Sequence, residues 1–489
     1  MVGMRVTHNG IVVIPELSLF LSHFIIQMII RSKELTAIGL HADAARSIAV
    51  ALIRKHCKHI DINLVFNELK DLTARPNQYR NHPVWGQLVE VLAPQQDVAI
   101  HHTLRKESLP YAVYGEENID ELSQLQMSIA MQLPVAVAGA LMPDGHAGFG
   151  LPIGGVLATD GVVIPYAVGV DIGCRMQLTI LEAPDDYIDT HHERVVDALA
   201  KSTAFGMNGI LPVRHYHEMF DREEFRTESW LSRLRGKAIR QLGSSGSGNH
   251  FVDVCEVRLP NGNALGVKEG NYVGILSHSG SRALGAAIAE RFTSIAKQRC
   301  RLPRQAGPFA WLELDSDAGQ AYWHYMQLAG EYSAACHDII HDGLVGALHL
   351  SPLARVSNHH NFAWNDVLPD GRQVIVHRKG ATPAHQGELG IIPGSMTQAG
   401  YLVRGLGNMG SLYSASHGAG RQLSRLDARN TISRHALTNT LCTSGVTLLG
   451  GSTEEAPQAY KDLRQVMAAQ QSLVTIEGTL IPRIVRMSD

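Results

Sequence analysis

The sequence predicts an α+β fold: one large domain of mixed sheet and helix, preceded by a small helical region. Three observations carry this. Apolar runs punctuated by glycine or proline (PVAVAGALMP, PIGGVLAT, GVVIPYAVGV, MQLTIL) read as buried strands. Amphipathic segments such as HERVVDALAKS and SRALGAAIAERF alternate with them. No repeat or low-complexity tract interrupts the 489 residues. Of these, 45% are hydrophobic and 18% charged, a balance that supports a sizeable core and excludes bulk disorder.

Taken in order, residues 10–30 are apolar, but Pro15 and Glu16 interrupt the run. A membrane span needs about 20 predominantly apolar residues, so no membrane association is expected. Translation from Met28 would leave residues 1–27 as a leader outside the fold. Residues 28–95 form the small helical region. In HADAARSIAVALIRKH, Ala45, Ile48, Leu52 and Ile53 share a stripe, with Arg46, Arg54 and Lys55 more exposed. NLVFNELKDL gives a second helix, and Pro76, Pro83 and Pro94 break up the stretch after it. The large domain, residues 96–489, opens on a helix near Asp120. Asn118 and Glu121 resemble a capping box there. Ile119, Leu122, Gln126, Ile129 and Leu133 fall on one face, and Pro134 stops the helix.

A net charge of -3 means that nucleic-acid contact requires a local basic patch. The six cysteines are widely spaced with no CxxC pair, which predicts free thiols in a reducing, cytoplasmic compartment. With 25 histidines, a lone histidine carries little weight.

The chemistry concentrates at strand ends. VGVDIGCRM reads as strand, glycine break and strand, and brings Asp171 and Cys174 to one place. A thiolate beside a carboxylate makes sense if a metal holds both; the alternative is a buried thiol beside a turn-capping Asp. LGSSGSGNHFVDV sets Asn249 and His250 after Gly243, Gly246 and Gly248, a loop whose N–H groups could approach phosphate. YVGILSHSGSRALG delivers His278 before a helix opening at about Arg282, whose N-terminus favours anions. VSNHHNFAW holds His359, His360 and Asn361, and YSASHGAGRQLSR places His417 before Arg421 and Arg425. Each turn alone is more often structural. Together, Asp171, Cys174, His250, His278 and His360 exceed a three-ligand zinc site and suit two ions bridged by the thiolate. A neutral His417 could attack phosphorus and carry a phosphoryl group. His377, Arg378 and Lys379, with the turn Pro393-Gly394-Ser395-Met396, add a basic stretch suited to nucleotide or RNA phosphates.

The motifs MPDGHAGFGLPIGGV, GVDIGCRM, GSGNHF, HSGSRALG, HHN, HRKGA, PGSM, HGAGR and EEAPQAYKD occur in one order. Together they resemble the RtcB family of GTP-dependent RNA ligases over roughly residues 110–487. The resemblance implies that family's own α+β, mixed-sheet fold in one large domain. It implies GTP and two divalent ions, manganese first, with zinc, cobalt or iron as alternatives. It also implies joining of an RNA 3′-phosphate or 2′,3′-cyclic phosphate to a 5′-hydroxyl, in RNA repair or tRNA splicing, with room for an accessory activating factor.

Carried over residue by residue, it implies Asp171, Cys174, His250, His278 and His360 as metal ligands, with Cys174 bridging. His417 is then the guanylylated histidine. Asn249, His360, Asn361, Pro393, Gly394, Ser395, Met396, His417, Gly418, Ala419 and Gly420 line the nucleotide. Asp144 lies in a motif where the family carries an Asp close to the site. Two positions depart from the pattern. Gly400 stands where the family usually has Ser, and the tail LIPRIVRMSD lacks the usual penultimate Lys, with Arg486 taken as its nearest match. Guanine selectivity is therefore open. Two other readings are a metal-dependent RNA-end phosphoesterase, which would not need His417, and a non-catalytic RNA-binding relative, which should have lost ligands.

Overall fold

The structure, a computed structural model, describes residues 32–58, 60–80, 82–93 and 99–488. The apolar run at 10–30 and the Met28 start lie outside them. The chain divides into two units, residues 1–98 and 99–489.

In the first unit the described residues form helices Ser32–Ala37, Asp43–His56, Ile62–Ala74 and Gly86–Leu92. Ala45, Leu52 and Ile53 are buried as their stripe requires, with Ile48 at its margin. They pack with Val65, Leu69, Leu72 and Trp85, so each short helix gains its stability from a shared apolar face. Asp61 caps the third helix by accepting the Asn63 N–H at 2.8 Å.

The second unit mixes sheet and helix, as expected. Its main sheet runs Ser351–His359, Arg175–Glu182, Gly270–Ser279, Phe251–Leu259, Val474–Met487, Gly400–Gly405 and Leu389–Ile392, antiparallel throughout. The short strand Thr447–Leu449 adds in parallel to Val474–Met487. The sheet curls until its two edges meet through one side chain. Asn358 on the first strand accepts the Ile391 N–H of the last at 3.0 Å and donates to Thr382 Oγ1 at 2.7 Å. A side-chain amide thus protects edges that would otherwise be open to pairing. Alternation splits the strands between two cores. Met176, Leu178, Val257 and Leu276 fill the inside, whereas Leu181, Val254, Val273 and Ile275 face outward onto Ile340 and Leu344.

Ile340 and Leu344 belong to the 32-residue helix Asp317–Leu348, capped by Ser316. That helix also buries His337 and His341, whose Nδ1 and Nε2 lie 2.6 and 2.7 Å from Ser277 Oγ. A five-stranded sheet (Asn361–Val367, Gln373–Lys379, Ile153–Thr159, Ala136–His146, Ala112–Val113) completes the framework. The helix Glu121–Met131 corrects one expectation. Its cap is Asp120, which accepts the Ser123 N–H at 2.8 Å, so no Asn118–Glu121 box forms. The buried face is accordingly Met127, Ala130 and Met131, and Leu122 is exposed.

Among the described residues no helix is long and apolar enough to cross a membrane.

Candidate active site

Four strand ends and two loops converge on one cavity of about 270 Å³. Asp171 and Cys174 sit in the turn before Arg175–Glu182; the apolar run leading in is a two-residue strand and the short helix Pro165–Val168 rather than one long strand. His250 immediately precedes Phe251–Leu259, and His278 lies near the end of Gly270–Ser279. His360 occupies the break between Ser351–His359 and Asn361–Val367. His417 follows Ser414–Ser416.

The five candidate ligands meet. Cys174, His278 and His360 present donor atoms within 4.8 Å of one another, as do Asp171, Cys174 and His250, so Cys174 belongs to both sets. Its Sγ is 3.2 Å from His278 Nε2 and 3.4 Å from His250 Nε2. His278 Nε2 is 3.1 Å from His360 Nε2, and Asp171 Oδ2 is 3.1 Å from His250 Nε2.

These contacts fit cations. Burial keeps His278 and His360 neutral, pushing both well below the usual histidine range. The Asn249 carbonyl, 3.1 Å from His278 Nδ1, fixes the proton on that nitrogen and leaves a bare lone pair on Nε2. Burial and the Asp171 charge push the Cys174 thiol well up, so a thiolate here needs positive charge beside it. The helix N-terminus at Arg282 does hold an anion: the Ser281 N–H donates to Asp171 Oδ1 at 3.2 Å.

Glycines make room for these side chains. A Cβ on Gly246 would stand 1.9 Å from His250 Nδ1, and one on Gly280 2.0 Å from Asp171 Oδ1.

His417 adjoins this cluster, its ring centroid 4.8 Å from that of His360. Its Nδ1 is 2.6 Å from Asp144 Oδ2, and its backbone N–H donates to the same oxygen at 3.1 Å. Burial works against charge on Asp144, but the hydrogen bond and charge of His417 outweigh it and hold the carboxyl below its usual range. Nδ1 therefore carries the proton, which leaves Nε2 with a bare lone pair. The motif PDGH is the one signal in the sequence that places Asp144 near the site, and it gives that residue no role.

Asn249, Asn361, Pro393, Gly394, Ser395, Met396, Gly418, Ala419 and Gly420 all line the cavity. The Asn361 side chain is already engaged, donating to Asp171 O at 3.3 Å and accepting the Gly380 N–H at 2.8 Å. Lys379 lines the cavity as well, its pKa pushed down to about 8 by burial. Arg421 and Arg425 line it and share Glu455.

Two expectations are corrected. Arg378 is fully buried over the Trp364 ring and donates to Ser414 Oγ and Leu412 O, so it braces the fold and offers phosphates nothing. Arg486 does not line the cavity. An irregularity between Pro482 and Ile484 resets the alternation, so Val485 and Met487 face inward while the Arg486 guanidinium stands over Phe205.

The model of the family described as tRNA-splicing ligase RtcB matches residues 126–487. An RNA-splicing ligase RtcB of Escherichia coli K12 is 31% identical over 373 residues, covering 70% of this chain and 88% of the relative. That of Mycobacterium tuberculosis is 32% identical over 426 residues, covering 73% and 98%. A tRNA-splicing ligase RtcB of Thermococcus kodakarensis is 29% identical over 437 residues, covering 73% and 90%.

Proposed function

The chain belongs to the RtcB family of RNA ligases, and from that premise we propose that it joins an RNA 3′-phosphate or 2′,3′-cyclic phosphate to a 5′-hydroxyl through a nucleotidyl-histidine intermediate on His417. The observation that carries this reading is His417 itself: a histidine oriented by a buried carboxylate, its free Nε2 beside a cluster of metal-binding donors.

Asp171, Cys174, His250, His278 and His360 would hold two divalent ions, with Cys174 common to both. When bound, these ions supply charge neutralisation and Lewis-acid polarisation at phosphate oxygens. The protein's own residues do the rest. Asp144 keeps the His417 proton on Nδ1 and stabilises the positive charge that develops on the ring as Nε2 attacks. In that attack the Nε2–Pα bond forms, the Pα–O bond to the β-phosphate breaks, and pyrophosphate leaves with the electron pair. A cyclic end is first hydrolysed, water adding to phosphorus and the 2′-oxygen leaving as a hydroxyl, and the resulting RNA 3′-phosphate then takes the nucleotidyl group, releasing His417. Attack of the 5′-hydroxyl on the activated phosphate expels the nucleoside monophosphate and seals the strand. A bare phosphate monoester is a poor electrophile, which is why a chain bearing both the donor cluster and His417 suits ligation better than hydrolysis alone. Lys379, Arg421 and Arg425 provide the local positive charge that the net charge of -3 does not.

Incubation with the four α-³²P nucleoside triphosphates and Mn²⁺, followed by a denaturing gel, tests this. A covalent label that disappears in His417→Ala is expected. Opening of cyclic phosphate ends with no label from any nucleotide would replace the ligase by a phosphoesterase.

A further inference from the structure

The loop of residues 147–152 joins the strands Ala136–His146 and Ile153–Thr159 and is pinned at several points. Gly148 exchanges two hydrogen bonds with the Gln126 side chain, at 2.5 and 3.1 Å. Gly150 takes a φ of +75° against Pro308 and Tyr166, and a Cβ there would stand 3.2 and 3.4 Å from their side chains. The Phe149 carbonyl accepts from Lys379 Nζ. Between these ties the Phe149 side chain is 76% exposed. One exposed apolar side chain is ordinary on a surface. The setting of this one is not. Lys379 Nζ and Lys297 Nζ lie 5.3 and 5.7 Å from the Tyr166 ring centroid, so cations and aromatic residues share one patch. Lys379 and the half-exposed Val170 also line the cavity, which sets the patch at its mouth. Single-stranded nucleic acid binds such surfaces, stacking bases on rings while phosphates meet the cations.

We propose that Phe149 stacks on the terminal base of the RNA strand that ends in the 3′-phosphate, with Lys297 meeting that strand's backbone. The inference rests on the ligase reading of the same site and adds where one of its two RNA ends is held.

The choice of end follows from His417. The RNA 3′-phosphate must reach the phosphorus carried on Nε2, so its strand passes the His417 side of the cavity. The Phe149 loop belongs to that side on two counts. It follows the strand that carries Asp144, the partner of His417. It is also tied to Lys379, and Lys379 leads into Gly380, where a Cβ would stand 3.2 Å from His417 Cε1. A phosphate held at His417 leaves the base of its own nucleotide near the mouth, and the pinned loop meets it with a ring already in place. Rigidity matters here, because an aromatic platform fixed beforehand loses little freedom when the base arrives. The Lys379 contact uses the Phe149 carbonyl, which every side-chain variant keeps.

The test uses the full-length protein with Mn²⁺ and short single-stranded RNAs. Transfer of labelled nucleotide from preloaded protein to a 3′-phosphate RNA needs no 5′-hydroxyl strand and isolates this end. Phe149→Ala should raise the RNA concentration for half-maximal transfer about tenfold or more, and Phe149→Trp should restore it. The 5′-hydroxyl strand concentration that half-saturates sealing, at saturating activated end, should move less than about twofold. An RNA whose last nucleotide lacks its base should bind wild type about tenfold more weakly than intact RNA. It should lose nothing further in Phe149→Ala, because base and ring report one contact. Lys297→Ala should lower the salt slope of RNA binding by about 0.7. Equal half-saturation in wild type and Phe149→Ala, a loss confined to the 5′-hydroxyl strand, or additive losses from the missing base and the missing ring would each overturn the inference and leave nucleotidyl transfer standing. Absence of His417 label from every nucleotide, with no RNA present, would remove both.

Discussion

Asp144 and His417, 273 residues apart, are joined by a 2.6 Å hydrogen bond between Oδ2 and Nδ1, and the same oxygen takes the His417 backbone N–H. The carboxylate is wholly buried, and Gly154 and Gly420 close around it. A Cβ on Gly420 would lie 2.2 Å from the Asp144 carbonyl oxygen. The fold thus fixes both the ring and its tautomer before any ligand arrives.

Asp144→Asn should therefore strike chemistry and spare binding. The amide can donate to Nδ1 and favour the tautomer with the proton on Nε2, which cannot attack. Covalent labelling should slow by about 10²-fold or more, while nucleotide affinity measured by calorimetry stays within about threefold. Equal losses in both would mean that Asp144 serves only the fold.

Cys174 belongs to both donor sets, whereas His250 and His360 each belong to one. Native mass spectrometry of Mn²⁺-loaded protein should find about one ion in His250→Ala and in His360→Ala. It should find neither ion held tightly in Cys174→Ala. Full occupancy in Cys174→Ala would refute a shared thiolate.

Gly280→Ala should weaken metal binding although glycine ligates nothing. The new Cβ would stand 2.0 Å from Asp171 Oδ1, and the carboxylate must move. Gly307→Ala meets nothing within 4 Å and is the control. A tenfold or greater loss of Mn²⁺ affinity in the first variant alone is the expected outcome. Equal affinities would place Asp171 outside the metal site.

Acid should destabilise the fold from about pH 6.5 downward. Burial pushes His377 down to about 4 and His337 to about 3. In the unfolded chain both titrate near ~6.5. Above that pH neither state binds a proton there, and these residues add no pH dependence. Below it the unfolded chain takes protons that the fold refuses, so stability falls as pH falls. By pH 5 each residue withdraws about 2 kcal/mol. Urea midpoints should drop between pH 7.5 and 5.0, and His377→Gln should flatten part of the drop. Identical midpoints at the two pH values would contradict the burial of neutral histidines.

Much of the site is legible in the sequence because its donors sit at strand ends. A histidine in a glycine- or serine-containing break after an apolar run marks such an end, and that pattern locates His250, His278, His360 and His417. Asp144 shows no role in sequence because its partner lies in a distant loop. Arg486 points away from the cavity because the irregularity after Pro482 resets the alternation, which spacing in one strand cannot reveal. Arg378 resembles a phosphate ligand in sequence, but the Trp364 ring and the Leu412 carbonyl occupy it in the fold.

Whether the His417 imidazole carries the nucleotide is the question on which the rest depends. Mass spectrometry of the protein labelled with nucleoside triphosphate and Mn²⁺, digested under alkaline conditions, tests it most directly. One nucleoside monophosphate is predicted on the peptide containing His417, lost on brief acid treatment and absent from His417→Ala. A nucleotide attached instead to Lys379, the cavity lysine with its pKa lowered to about 8, would contradict that assignment.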